Sequence, residues 1–132
     1  MIMSRTAFEA YTEAFSGADD KSVLFDRYYH PEITFRHPIK GTFSGQEELV
    51  GFWNSGAGEG HDGVRERLHL KTFLSGEDKV AVELDIEWRC FKDTEYLGPR
   101  KKGEVFWGQC AAFYELKDGR FFEVQLYLNP LK

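Results

Sequence analysis

Four histidines and two cysteines carry the most reactive side chains of this chain, and their spacing limits what they can do. His30, His37, His61 and His69 share no interval that would preset a metal site, so no metal is expected. Cys90 and Cys110 fit neither a disulfide framework nor a metal motif and read as reduced, partly buried thiols. No Gly-x-Ser-x-Gly elbow is present, which disfavours covalent acyl chemistry. The run Gly56-Ala57-Gly58-Glu59-Gly60 follows a helical pattern rather than a strand, so it reads as a helix stop and pocket rim, not a phosphate cradle. His37 remains. It alternates with Ile33 and Phe35 against Thr34 and Arg36, which puts its imidazole on the apolar face of a short strand. A group with an unperturbed pKa of roughly 6.5 suits proton transfer near neutral pH, and the same position also suits a satisfied core histidine. Of the others, His30 is expected to be exposed beside Pro31, His61 lies in the glycine-rich run, and His69 shares a strand face with Arg65, Arg67 and Lys71.

Elements must position these groups. Thr6 and Glu9 make a capping box, Phe8, Tyr11 and Phe15 recur at helical spacing, and Gly17 can stop that first helix. Asp19 or Asp20 can cap a second, with Val23, Leu24, Arg27 and Tyr28 as its stripe and Pro31 as its end. Ser44 and Glu47 repeat the capping-box pattern before Leu49, Val50, Phe52 and Trp53. The period then changes to two. Val64 to Leu74, Val80 to Cys90, Val105 to Leu116 and Phe121 to Leu128 read as four antiparallel strands in meander, with Asp118-Gly119 as a hairpin signal. Between them Lys92 to Lys102 reads as a polar loop whose Arg100-Lys101-Lys102 is solvated.

Helices segregated from an antiparallel sheet make this an α+β chain. Its 132 residues, with 12 Phe, 6 Tyr and 3 Trp, suit one domain spanning 1–132 with its own core. Tyr11, Tyr28, Phe35, Trp53, Trp88, Phe122 and Leu126 fall on faces predicted to point inward, where they form a core or line an apolar cavity. Glu83, Asp85, Glu87, Arg89, Glu123, Gln125 and Tyr127, with Phe121, fall on the opposite face, which meets water or a second subunit. The net charge of −5 argues against nucleic acid. No apolar run is long enough to cross a membrane, and nothing resembles a signal peptide, which predicts a cytoplasmic protein.

The segments Tyr28-Tyr29-His30-Pro31-Glu32-Ile33-Thr34-Phe35, His37-Pro38, Gly41-Thr42-Phe43-Ser44-Gly45-Gln46-Glu47-Glu48-Leu49 and Lys117-Asp118-Gly119-Arg120-Phe121, in this element order, resemble the NTF2-like superfamily. More narrowly they are similar to its SnoaL-like and ketosteroid-isomerase-like group, over about Phe8 to Asn129. The resemblance implies a cystatin-like cone of three N-terminal helices packed on a curved, mostly antiparallel sheet, with an apolar pocket at one end and a homodimer through the outer sheet face. It places His37 at the general-base position and Tyr11 at the helix position of the oxyanion donor. It also implies that Tyr28, Phe35, Trp53, Trp88, Phe122 and Leu126 touch a small hydrophobic ligand. The strand position where the isomerases carry a carboxylic acid falls on Ala111 or Ala112. The function implied is binding of an apolar or polycyclic carbonyl compound, with cofactor-free isomerisation, cyclisation or dehydration; the alternative is a non-catalytic ligand-binding or dimeric accessory protein.

Overall fold

The computed structural model describes residues 1–18, 20–54 and 63–130. Helix α1 (Arg5–Gly17) buries Phe8, Tyr11, Thr12 and Phe15, the spacing that puts four side chains on one helical face. Its cap lies two residues before the predicted one: Ser4 Oγ accepts from the Ala7 amide at 3.1 Å, so Ser4 and not Thr6 satisfies the first turn. The far end is closed by Lys21, a buried residue whose ammonium donates to the carbonyls of Phe15 and Ala18. A cation at the carbonyl end of a helix also meets the favourable end of its dipole.

The second helical stretch is a 3-10 turn, Lys21–Leu24, that continues into α2 (Phe25–Tyr28). Asp20 Oδ1 caps it from the Ser22 amide at 3.0 Å and also accepts from Asn54 Nδ2 at 2.8 Å, tying it to the end of α3. Asp19, the other proposed cap, and the glycine run with His61 lie outside the described residues. Strand β1 (Tyr29–His37) starts earlier than expected and takes Pro31 into it, at a register shift between Tyr29 and Thr34 where a missing amide costs no ladder bond. Strand β2 (Gly41–Ser44), not anticipated from the sequence, pairs with it. Helix α3 (Gln46–Trp53) has Gly45 at its N-cap, with a φ of 86° that glycine adopts without strain. The expected Ser44 and Glu47 box is replaced by Glu48, whose Oε1 accepts from the Ser44 amide at 3.1 Å.

The four long strands are β3 (Val64–Gly76), β4 (Lys79–Cys90), β7 (Val105–Lys117) and β8 (Arg120–Pro130). A small hairpin, β5 (Thr94–Glu95) with β6 (Pro99–Arg100), sits between β4 and β7. The main sheet has the order β2-β1-β8-β7-β4-β3, antiparallel except where β1 runs parallel to β8. Asp118 and Gly119 take φ of 54° and 76°, the pair of positive angles that the predicted two-residue hairpin demands. The sheet curves and packs its inner face on the helices, an α+β cone of the expected kind. Its core is built on Phe8, Tyr29, Ile33, Leu49, Trp88, Phe121 and Val124, all nearly inaccessible.

One break in alternation changes which aromatics face inward. Leu116 pairs with Phe121 and Glu115 with Glu123, so Phe122 is the extra residue of a bulge. Phe121, expected outside, is therefore core, in contact with Phe8, Tyr11, Tyr29 and Tyr114. Phe122, expected inside, packs on the His30 ring at 5.0 Å and below Lys117 Nζ at 4.7 Å. His30 is buried rather than exposed, its Nδ1 accepting from the Glu32 amide at 3.0 Å.

Candidate functional site

Registers on the inner face stack side chains across strands into rungs. Glu66 of β3 lies opposite Trp88 of β4, which lies opposite Phe106 of β7; Leu68, Ile86 and Gly108 form the next rung. The Trp88 indole lies across Gly108: a Cβ there would sit 2.7 Å from Cη2 and Cζ3, so only glycine leaves the room. Its ring stacks on Phe106 at 4.9 Å and meets Tyr96 at 5.6 Å. An internal cavity of about 20 Å³ opens beside it, bordered by His37, Trp53, Glu66, Ile86, Trp88, Tyr96, Cys110, Leu126 and Leu128.

His37 ends β1. Its Nδ1 accepts from the amides of Ile39 and Lys40, both at 3.1 Å, and its ring meets Phe52 edge-on at 5.6 Å. An imidazole nitrogen that accepts two amides holds no proton, so in the neutral ring these bonds assign the proton to Nε2. The ring's lone pair is thereby engaged by the backbone, and its remaining nitrogen is a donor.

Of the residues singled out in the sequence, the cavity brings together His37, Trp53, Trp88 and Leu126. Phe35 stands behind Trp53, centroids 5.3 Å apart. Tyr11 and Tyr28 form a separate cluster with ring centroids 5.1 Å apart. The Tyr11 hydroxyl is hydrogen-bonded to the Tyr29 hydroxyl at 2.6 Å, and Tyr11 does not border the cavity. Burial, with a smaller push from the charge of Glu66, raises the Tyr11 phenol above its ordinary value of 10. Tyr11 and His37 are therefore not a joined pair, and Phe122 does not border the cavity.

Among the cavity residues that escaped the sequence reading, two carry hydrogen-bonding oxygens, Glu66 and Tyr96. Glu66 sits in the run Arg65-Glu66-Arg67 and looks like one more solvated charge, yet it is buried because period two turns it to the face opposite its arginine neighbours. Tyr96 lay in the supposed polar loop. That loop is held by Arg100, whose guanidinium lies 3.7 Å from the Phe106 ring and donates to the carbonyls of Tyr96 at 3.1 Å and Leu97 at 3.0 Å and to Glu104 at 2.9 Å. Arg100 is thus a staple rather than a solvated charge. Cys110 also borders the cavity, and burial, then the charge of Glu66, pushes its thiol up to about 12, far from reactive.

Two further hollows are larger and open. One of about 410 Å³ is bordered by Leu74, Phe113 and Val124 with Arg36, Lys79, Glu115 and Glu123; the other, of about 290 Å³, by Lys71, Asp85, Gln109, Tyr127 and Asn129. Size favours them, chemistry favours the small cavity. There a carboxylate, an imidazole, a phenol and an indole border a space more enclosed than either groove, whereas the grooves present mainly exposed side chains such as Phe113, Tyr127 and Leu74. Outside on the sheet, Glu87 is bound by His69 Nε2 at 3.1 Å and by Arg89. Among the described residues no group of three or more His, Cys, Asp or Glu could hold a metal ion, and no helix is long and apolar enough to cross a membrane.

The family model described as SnoaL-like domain matches residues 8–124. No curated protein matches the sequence. Among solved structures, the chain is similar to a polyketide-cyclase candidate from Xanthomonas campestris pv. campestris, with 20% identity, coverage of 92% of this chain and 87% of that one, and a TM-score of 0.74. A hypothetical protein with a ketosteroid isomerase-like fold from Catenulispora acidiphila DSM 44928, crystallised with trimethylamine, gives 14%, 95%, 86% and 0.69. An LEH-like epoxide hydrolase from M. tuberculosis gives 12%, 94%, 80% and 0.67. At these identities the likeness is one of fold.

Proposed function

The chain belongs to the SnoaL-like domain family, and from that premise we propose that it is a small-molecule pocket protein acting on an apolar carbonyl compound by proton transfer, without a cofactor. The observation that carries this reading is that Glu66 and His37 border one cavity, whose volume of about 20 Å³ takes the reacting end of a ligand and not the whole of it. Proton transfer needs an acceptor and a donor of matched protonation in a site that keeps bulk water out. Glu66 is the acceptor here. His37, with Nδ1 engaged by two amides, is the donor through Nε2–H, the reverse of the general-base role that its position implied. Abstraction of a proton beside a ligand carbonyl by Glu66, and its return at another carbon, would give isomerisation; return to a leaving hydroxyl would give dehydration. Trp53, Trp88 and Leu126 supply the apolar surround, with Phe35 behind Trp53. Tyr11, Tyr28 and Phe122 take structural roles.

The test is a thermal-shift and turnover screen of cyclic enones and β-hydroxy ketones on the native chain, Glu66→Gln and His37→Ala. Stabilisation by a compound, with turnover lost in Glu66→Gln while binding persists, is the expected result. A chain stabilised by none of these compounds overturns the reading and leaves the accessory role. That second reading has its own support: Leu74 on β3, Phe113 on β7 and Tyr127 on β8 are exposed apolar residues of the outer face, a surface suited to a second copy of the chain. A homodimer through that face predicts a dimeric mass by light scattering at micromolar concentration and a monomer for Phe113→Asp with Tyr127→Asp. A native monomer removes the dimer. A cytoplasmic location fits the two free thiols, Cys90 and Cys110.

A further inference from the structure

Trp88 is 1% exposed, and its Nε1–H is fully buried with no hydrogen-bond partner among the described residues. An indole nitrogen donates and cannot accept, and leaving such a donor dry forfeits its hydration without return, so native proteins seldom do it without a use. The indole borders the same cavity as Glu66, its direct neighbour across the β3 and β4 ladder. Side chains directly opposite in an antiparallel pair start about 4.5–5.5 Å apart at Cβ, so the donor and the carboxylate address one space. That space, about 20 Å³, exceeds the 10–15 Å³ or so that a single water requires and falls far short of a ring.

We infer that this cavity is a socket for one hydroxyl oxygen, which accepts a hydrogen bond from Trp88 Nε1–H and donates one to the Glu66 carboxylate. The pairing fixes the chemical class. A carboxylate has about four acceptor sites and no donor when ionised, so whatever bonds Glu66 already makes, its further partner must bring a proton. A group between an obligate donor and an obligate acceptor must do both, as water, an alcohol or an enol does. A carboxylate or phosphate oxygen would meet the charge of Glu66 with its own, and a bare ketone would satisfy only Trp88. Contacts with Tyr96 and Phe106 and the close approach at Gly108 fix the indole ring, so the donor is held in place before any guest arrives. The water source stands independently of the proposed function; the ligand source, a hydroxyl carried by the bound compound, rests on it.

High-resolution crystal structures of the full chain test this, grown without ligand and after soaks in cyclohexanol and in acetate. The expected result is one density peak within about 2.7–3.2 Å of both Trp88 Nε1 and a Glu66 carboxyl oxygen. It is expected to be lost in Trp88→Phe, and acetate is expected not to displace it. In the cyclohexanol soak, replacement of the peak by the alcohol oxygen assigns the socket to a ligand hydroxyl, and Trp88→Phe should then weaken cyclohexanol binding by about 2–10-fold. A water that stays put supports the socket while counting against the carbonyl-compound reading. Should Trp88→Phe not fold, the native crystal and a water-to-indole cross-relaxation signal at the Trp88 Nε1 proton decide. Absence of both, or acetate seated on Trp88 Nε1, overturns the proposal.

Discussion

Two rungs of the sheet, one residue apart on the same three strands, pair a glutamate with a tryptophan on opposite faces. Glu66, Trp88 and Phe106 face the helices; Arg67, Glu87 and Trp107 face outward. Both carboxylates are buried, at 8% and 6% exposure, yet they live differently. Burial alone would raise the Glu87 carboxyl, but hydrogen bonds from His69 and Arg89 and the charges of both hold it below its ordinary 4.5. Its tryptophan, Trp107, is 40% exposed and lies against His69, centroids 5.3 Å apart. The outer carboxylate is thus held by His69 and Arg89, while the inner rung keeps a tryptophan N–H without a hydrogen-bond partner. The lesson is that a buried carboxylate marks a candidate site only when the polar groups beside it still have bonds to give.

The contrast can be broken by substitution. Trp88→Ala should cost about 3–5 kcal/mol of folding free energy and Trp107→Ala under about 1 kcal/mol in the monomer, both read by urea denaturation. Similar losses at the two sites would erase the distinction. Gly108→Ala forces the indole off its seat and should cost about 1–3 kcal/mol, with a change in the near-ultraviolet dichroism of Trp88; a neutral outcome would mean the indole is free to move. The smallest effect lies outside. Because the folded-state value of Glu87 is depressed, its stabilising contribution is present above pH 4.5 and is lost as pH falls through the lowered value. The stability gap between the native chain and Glu87→Gln should therefore shrink on acidification below pH 4.5, measured by urea midpoints; a pH-independent gap would show that the clamp is not ionic. The exposure of Arg89 and His69 keeps this term modest.

Periodicity made much of the fold legible, because each long strand buries one face and so alternates in its residues. Asp118-Gly119 was equally readable, since few other pairs tolerate two positive φ angles. What escaped was whatever breaks a period or depends on a distant partner. The extra residue at Phe122 reversed the phase of the last strand's start and exchanged Phe121 for Phe122 in the core. Glu66 was hidden between two arginines, and Tyr96 inside a loop whose order depends on Arg100 reaching Phe106. Ser4 outcompeted the Thr6 cap because either residue satisfies the same local rule. The position of His37 was readable; the state of its ring was not, because that is set by the amides of Ile39 and Lys40 in the turn after its strand.

The parallel pairing of β1 with β8 has a kinetic consequence. Thr34 lies against Glu123 and Phe35 against Val124, so the first strand can complete its ladder only when the last strand lies beside it. Such a contact closes a long loop before it returns any energy, and sheets of this kind fold in milliseconds to seconds rather than microseconds. His37 reaches Leu126 and Leu128 across that closure. The cavity therefore draws its walls from both ends of the chain, and a chain in which β1 had not docked on β8 would keep Glu66 and Trp88 on the meander and lack the His37 wall.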